Sequence, residues 1–391
     1  MTPEIKLEQY DEYIKSIDWL ADADLPLAIT LEEVLEPAEG PDAVIFPPTY
    51  AEEKGKKPSE FHPYQIDVVD GKLTPQEAVK QGVEANFCLI DSVGSQANRM
   101  ENKFATEEKL TTLVPKIEIQ LKVKSDEGER IVKKNLLEVG HRIADGIVNC
   151  TSLRKDKVEN AIREARDSSN FGPLAQLAPT SLVFGFWDSR NTQYKFGRIL
   201  SSTIRATNVG RIKRSAQYTS AFKKSDLPEE LTANTKLKLS EIGLDGVPST
   251  GTHGGVRVYG TIVRRTHINL VRLRALAITK GNEGEPRTID EEETLKLRRY
   301  ILGLALVAAQ AQKGEYDLRI GCLLNRTEMK AELVFTNKKS NKAFDWRGSE
   351  AFAYAELAAK EFLKREEHLV EFNAKLAKEF SKTAKSETEE K

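Results

Sequence analysis

Three features of the chain predict an α+β fold interrupted by long insertions. Apolar β-compatible runs and helix-periodic runs are interspersed without the regular alternation of a doubly wound sheet. Charged segments rich in Gly and Pro separate them, and 391 residues exceed the size at which a single core usually stops growing, which leaves room for decoration.

In chain order, the stretch to about Asp24 is acidic and polar and is expected to form a short amphipathic helix. Residues 25–36 read as a β-compatible run, after which Gly40, Pro41, Pro47 and Pro48 break regular structure. Residues 51–63, charged and carrying Gly and Pro, read as a mobile surface loop ahead of the apolar run 85–90. Strand candidates are 117–123, which alternates as IEIQLKV, the apolar and aromatic 181–187, and 255–273, which mixes β-branched residues with arginines. Helical spacing is found at 153–166, at 291–312 and at 350–380, the last expected to be the longest helix. Residues 1–380 thus read as a single domain, 223–254 as an insertion, and 381–391 as a disordered charged tail.

Composition excludes several classes. Charged residues are 30% and apolar residues 39% of the chain, which argues against wholesale disorder. No apolar run approaches the roughly 20 residues that span a bilayer, and the first residues lack a basic start followed by an apolar stretch, so a cytoplasmic protein without membrane contact is expected. Cys88, Cys150 and Cys322 lie far apart with no C-x-x-C pair, as unpaired thiols in a reducing compartment do. His62, His141, His253, His267 and His368 are scattered without metal-ligand spacing, so no metal site is expected. The phosphate-binding and dinucleotide-binding glycine motifs and the G-x-S-x-G elbow are absent, so no cofactor and no catalytic residue are predicted.

Net charge is silent, with 59 basic against 60 acidic residues, but its placement is not. From Lys195 to Lys224 the chain carries Lys195, Arg198, Arg205, Arg211, Lys213, Arg214, Lys223 and Lys224 and no acid, interleaved with Phe196, Tyr218 and Phe222. Cations for phosphates and rings for bases are the combination that holds single-stranded nucleic acid. A second acid-free stretch carries Arg257, Arg264, Arg265, Arg272 and Arg274. The alternative reading of both is a pair of strand faces whose charge is balanced across space by acidic regions. The run PSTGTHGG, residues 248–255, reads as a flexible turn or as a backbone nest for phosphate.

In LIDSVGSQANRME, Asp91 or Ser92 can cap a helix whose unpaired N–H groups suit a phosphate. Ser95 and Gln96 in its first turn, with Asn98 and Arg99 one turn later, would add donors, and a guanidinium can grip phosphate bidentately. An ordinary capped helix facing water is the plainer reading.

The strings DSVGSQANRME, EPAEGPDAVIFPPTY and STIRATNVGRIKRSAQYTSAF together resemble the RAMP-type backbone subunit, of the "Cas seven" superfamily, in the type I-G (formerly I-U) CRISPR effector complex. The likeness runs from about Leu27 to about Leu363 and rests chiefly on the Ser-x-x-Ser-Gln-Ala-Asn-Arg segment. It implies a modified RRM-like, ferredoxin-like palm with inserted finger and thumb elements, copies of which stack along one CRISPR RNA and hold its backbone. Through it, Ser92, Ser95, Gln96, Asn98 and Arg99 are expected to contact RNA, and more loosely Arg205, Arg211, Lys213 and Arg214. The insertion 223–254 is its candidate thumb, and the implied partners are CRISPR RNA, the paired target DNA strand, other copies of the chain and other subunits of the complex. Some related subunits cleave RNA with a loop aspartate, but nothing around Asp188 or Asp245 supports that here. The competing readings are an RNA-processing ribonuclease using His253 or His267, and a protein-interaction scaffold without RNA.

Overall fold

A computed structural model describes residues 5–16, 25–51, 63–69, 71–125, 128–138, 142–218, 220–232, 238–245, 247–281, 287–336 and 340–389. The first strand shows how the sequence builds the sheet. In β1 (Pro26–Pro37), Ile29, Leu31, Glu33 and Leu35 are buried while Thr30, Glu32, Val34 and Glu36 alternate to the other face. A two-turn start precedes it, a 3-10 turn over Leu7–Tyr10 and a helix over Asp11–Ile14, matching the amphipathic opening. Next come β2 (Ile66–Val68), β3 (Asn86–Asp91) and α1 (Val93–Thr106), which buries Ala97, Met100 and Phe104 at helical spacing. The alternating run 117–123 is β4 (Lys116–Ser125), hairpinned with β5 (Gly128–Asn135).

Farther along lie α2 (Glu159–Asp167) and α3 (Pro179–Phe184), then β6 (Leu200–Thr207), β7 (Val209–Tyr218), β8 (Val247–Val258) and β9 (Ile262–Asn269). The chain closes with α4 (Glu291–Gln310), β10 (Glu315–Arg319), β11 (Cys322–Phe335), α5 (Gly348–Phe362), β12 (Glu367–Glu371) and α6 (Ala374–Glu389).

The main sheet has the order β10-β11-β1-β9-β6-β3-β2, every pair antiparallel. Within it, β1, α1, β6, β9, α4 and β11 follow one another as β-α-β-β-α-β with spatial order β11-β1-β9-β6, the ferredoxin-like arrangement. The mixed α+β expectation holds, and the insertions sit between these six elements. Helix α4 is capped by Asp290, which accepts from the Glu293 N–H, and carries three glutamates in its first turn. It lies between the sheet and α5 and is buried from Leu297 to Ala309. A Cβ at Gly303 would sit 2.8 Å from the Cα of Ala355, so the two helices cross closely only because that position is glycine.

Several predicted elements differ. Residues 181–187, read as a strand, are mostly α3 followed by a two-residue strand at Phe186–Trp187. A short, wholly apolar run has no period to separate strand from buried helix, and Pro179 opens the helix at its first turn. The single long helix expected over 350–380 is two helices, because Arg365 takes a left-handed φ of 50° and Glu367–Glu371 pairs in parallel with β4. Residues 255–273 form two strands and a short helix, Leu270–Arg274. Helix α6 covers most of the stretch read as a frayed tail, residues 390 and 391 lying outside the described ones, as does nearly all of the loop read at 51–63.

One feature of the sheet's inner face organises the rest. Along β1, β9 and β6, the residues Leu31, Ile268 and Leu200 belong to a large apolar cluster, and Leu35, Ile262 and Ile204 to a smaller one. Between them runs a polar band of Glu33, Arg264, Thr266 and Ser202, all buried. Glu33 and Arg264 face each other in register, and the Arg264 Nη1 donates to Glu33 Oε2 at 2.5 Å. Tyr316 and Arg326 donate to the same carboxylate at 2.8 and 2.9 Å, while Arg264 also donates to Gln96 Oε1 and Ser202 Oγ at 3.0 Å and to the Ala309 carbonyl at 2.9 Å.

Removing one partner of such a pair leaves an uncompensated buried charge. Arg264→Met or Glu33→Leu is therefore expected to lower stability by about 3–5 kcal/mol. The double substitution should lose clearly less than the sum of the two, as measured by urea unfolding.

Candidate nucleic-acid interface

Helix α1 begins where β3 ends. Of the two caps considered, Ser92 holds the position, with extended backbone and its Oγ accepting from the Ser95 N–H at 3.2 Å. Asp91 serves a different end. Its carboxylate is buried and accepts from Gln96 Nε2 at 2.7 Å, Arg99 Nε at 3.2 Å and Arg319 Nη2 at 3.0 Å.

The five residues expected on this segment therefore divide. Ser92 and Ser95 are half-buried and Asn98 is exposed, accepting from Arg142 Nη2 at 3.3 Å. Gln96 is fully buried and spans Asp91 and Arg264, so its role toward any ligand is to position its neighbours. Arg99 is turned along the protein, donating to Asp91 and to the Asp317 and Leu318 carbonyls, although 30% of its side chain remains exposed.

Two buried carboxylates here are each shared by two arginines, Asp91 by Arg99 and Arg319, Glu33 by Arg264 and Arg326. Among the described residues, four guanidinium groups against two carboxylates leave the cluster beneath the start of α1 positive, a field that favours an anion at the helix N-terminus. Arg319 and Arg326 were not legible as part of it. They stand singly in the sequence, more than two hundred residues from Asp91 and Glu33; the pairing of β11 with β1 brings Arg326 to Glu33, whereas Arg319 reaches Asp91 of β3 from β10 at the opposite side of the sheet order.

The basic stretch 195–224 also divides. Arg205 stands exposed on the outer face of β6, between Leu89 and Val263 on the flanking strands. Arg211 is half-buried and Lys213 and Arg214 are exposed on β7, which pairs with β8 as a hairpin broken by register shifts between Arg211 and Lys213 and between Arg214 and Ala216. Such bulges re-aim side chains along a strand. Phe196 is packed between Phe171 and Phe186 and is not free to stack on a base, whereas Phe222 is exposed.

The candidate thumb at 223–254 is the far half of this hairpin. Its connection carries short turns at Lys224–Asp226, Glu229–Thr232 and Leu239–Ile242, with 233–237 and 246 outside the described residues. The run PSTGTHGG is not a nest but part of β8. A Cβ at Gly254 would lie 2.6 Å from the Ile212 carbonyl oxygen, and Gly255 takes a φ of 86° while donating to the Tyr64 hydroxyl.

The arginines of the second stretch are each engaged by the protein itself, although only Arg264 is buried. Arg264 is buried, Arg274 donates to the Tyr13 and Pro26 carbonyls, Arg272 to the Arg198 carbonyl, and Arg257 and Arg265 pair with Asp42 and Glu32. Asp188 is likewise engaged, accepting from Arg154 at 2.7 Å and from the Thr192 N–H and hydroxyl at 3.0 and 2.6 Å. Burial raises the pKa of its carboxyl, but the bonds from Thr192 and Arg154 outweigh that and hold it below the usual value. Burial, followed by the charge of Arg272, lowers that of His267. Among the described residues no three His, Cys, Asp or Glu side chains come together as a metal site, and no helix is long and apolar enough to cross a membrane.

Residues 29–211 match the family model of CRISPR-associated protein GSU0053. A CRISPR-associated domain thus covers just under half of the chain, from within β1 through α1 and β6 to Arg211 on β7. No curated protein matches the chain.

A structural role for Asp188 has a pH signature. Its lowered pKa contributes stability that is full above the ordinary carboxyl value of 3.8 and is lost as the pH falls below it. Asp188→Asn is accordingly expected to lower the melting temperature at pH 7, with a smaller difference from the native chain at pH 3, as read by thermal melts across that range.

Proposed function

We propose that the protein is a non-catalytic RNA-binding backbone subunit of a CRISPR effector complex, of the RAMP type found in type I-G assemblies. Several copies would line up along one guide RNA and present it for pairing with a target DNA strand. The observation that carries the reading is that the CRISPR-associated match, residues 29–211, includes the capped start of α1 with Asp91 and Arg99 and the basic strand residues Arg205 and Arg211, while Arg264, Arg319 and Arg326 of the cluster beneath that helix lie beyond it.

The chemistry asked of such a subunit is modest. Cations and backbone donors grip phosphates without reading sequence, so any guide is accepted. Weak contacts repeated in each copy add along one strand through effective concentration. Ser92, Ser95 and Asn98 at the helix start, with Arg205, Arg211, Lys213 and Arg214 on the sheet and hairpin, are the proposed contacts. Gln96 and Arg99 support them from within the fold.

The test is to purify the protein with and without a CRISPR RNA and to read absorbance ratio, particle mass and RNA integrity. A large particle containing intact RNA is expected. Lys213→Ala/Arg214→Ala should weaken binding and reduce the log–log salt slope by about 1.4, the value for two phosphate contacts on a single strand. Arg99→Ala should in addition destabilise the RNA-free protein by about 1.5–3 kcal/mol, because its partner Asp91 is buried. Cut RNA would favour the ribonuclease reading, and RNA-free monomers throughout would overturn both.

A further inference from the structure

A cleft of about 340 Å³ lies beside the α1 surface, lined in part by Arg142, Asp145, Trp187, Arg190 and, from helix α6, Phe380. Its volume falls at the lower end of ligand-binding clefts, enough for one small molecule or one residue of a polymer. Arg142 is on its wall and also donates to Asn98, the exposed residue of α1, so the cleft adjoins the proposed RNA contacts.

The walls have two kinds of surface. One is aromatic: the Trp187 indole is 63% exposed, an unusual state for so large an apolar group, and the Lys195 ammonium lies 5.7 Å from its ring centroid. The other is cationic. The Arg190 guanidinium sits 5.0 Å over the Phe380 ring and pairs with no carboxylate among the described residues. The Arg142 Nε lies 3.2 Å from the carboxylate of the buried Glu101, an ion pair without hydrogen-bond geometry, and its Nη2 donates to Asn98.

Behind Arg142 the positive charge is crowded. Arg198 Nε is also buried without a partner, and burial together with the like charge of Arg142 lowers its pKa. Glu101 is the carboxylate that faces Arg142, and burial raises its own pKa. Among the described residues lining the cleft, Asp145 is the acidic one, against Arg142 and Arg190. An anion entering on the Arg190 side would find an uncompensated field there.

We infer that this cleft takes a single unstacked nucleotide, its base laid on the Trp187 indole and its phosphate held by Arg190, Arg142 and Lys195. Aromatic stacking with adjacent cations accepts any base, as a sequence-tolerant strand contact requires. The source of the nucleotide rests on the RNA-binding reading, since a free nucleoside monophosphate offers the same chemistry.

Intrinsic tryptophan fluorescence and binding isotherms distinguish the cases, using a short single-stranded oligoribonucleotide, GMP and inorganic phosphate with the native chain, Trp187→Leu and Arg190→Gln. Both substituted side chains are exposed, so both variants are expected to fold. Quenching by the oligonucleotide that Trp187→Leu abolishes, with affinity lowered about tenfold by each substitution, supports the cleft as a strand contact. Quenching by GMP and not by the oligonucleotide supports the nucleotide chemistry and assigns a free ligand. Equal oligonucleotide affinity in all three proteins overturns the cleft while leaving the RNA-binding function standing. Absence of both binding and quenching overturns the cleft and the function together.

Discussion

The buried ion pair between Glu33 and Arg264 is the constraint on which the arrangement of the sheet depends. Two strands that each place a charge toward the core can be stable only in the register that brings the charges together, because a slip by one residue would turn both to the other face and bring their apolar neighbours out of the core. The same pair ties more distant elements to that register. Arg264 reaches Gln96 on α1, Ser202 on β6 and the carbonyl at the end of α4, and Glu33 accepts from β10 and β11. All six elements of the ferredoxin-like motif therefore meet at one polar band dividing two apolar clusters.

That band also shapes the surface above it. Gln96 is held from both sides, which turns α1 so that Ala97, Met100 and Phe104 face inward and Ser95 and Asn98 outward. Asp91, anchored by Arg99 and Arg319, fixes the last residue of β3 and hence the point at which the helix starts. The donors that would meet a phosphate are backbone groups and short polar side chains already in place, while the arginines behind them supply field more than direct grip. A site built this way loses little conformational freedom on binding, which suits a contact repeated along a strand.

Much of this was legible in the chain. The β-compatible run at 25–36, the alternation in 117–123, the helical spacing in 291–312 and a helix cap at Asp91 or Ser92 are local signals, each governed by a few neighbouring residues. Where local signals were ambiguous, packing decided. The apolar run 181–187 carries no period, and it coils because it is enclosed on all sides. Residues 367–371 leave the helical pattern because they gain backbone partners in β4, more than two hundred residues away in sequence.

By itself the sequence determined the class of the fold, the capped helix start and the presence of two acid-free arginine stretches, since these depend on composition, period and neighbours along the chain. It did not determine which arginines face a ligand. Arg264 and Arg265 are adjacent and chemically identical, yet one is sealed in the core against Glu33 and the other is exposed beside Glu32. Only the tertiary structure separates them, because alternation along a strand sets opposite faces but the layers packed on each face decide which of the two is dry.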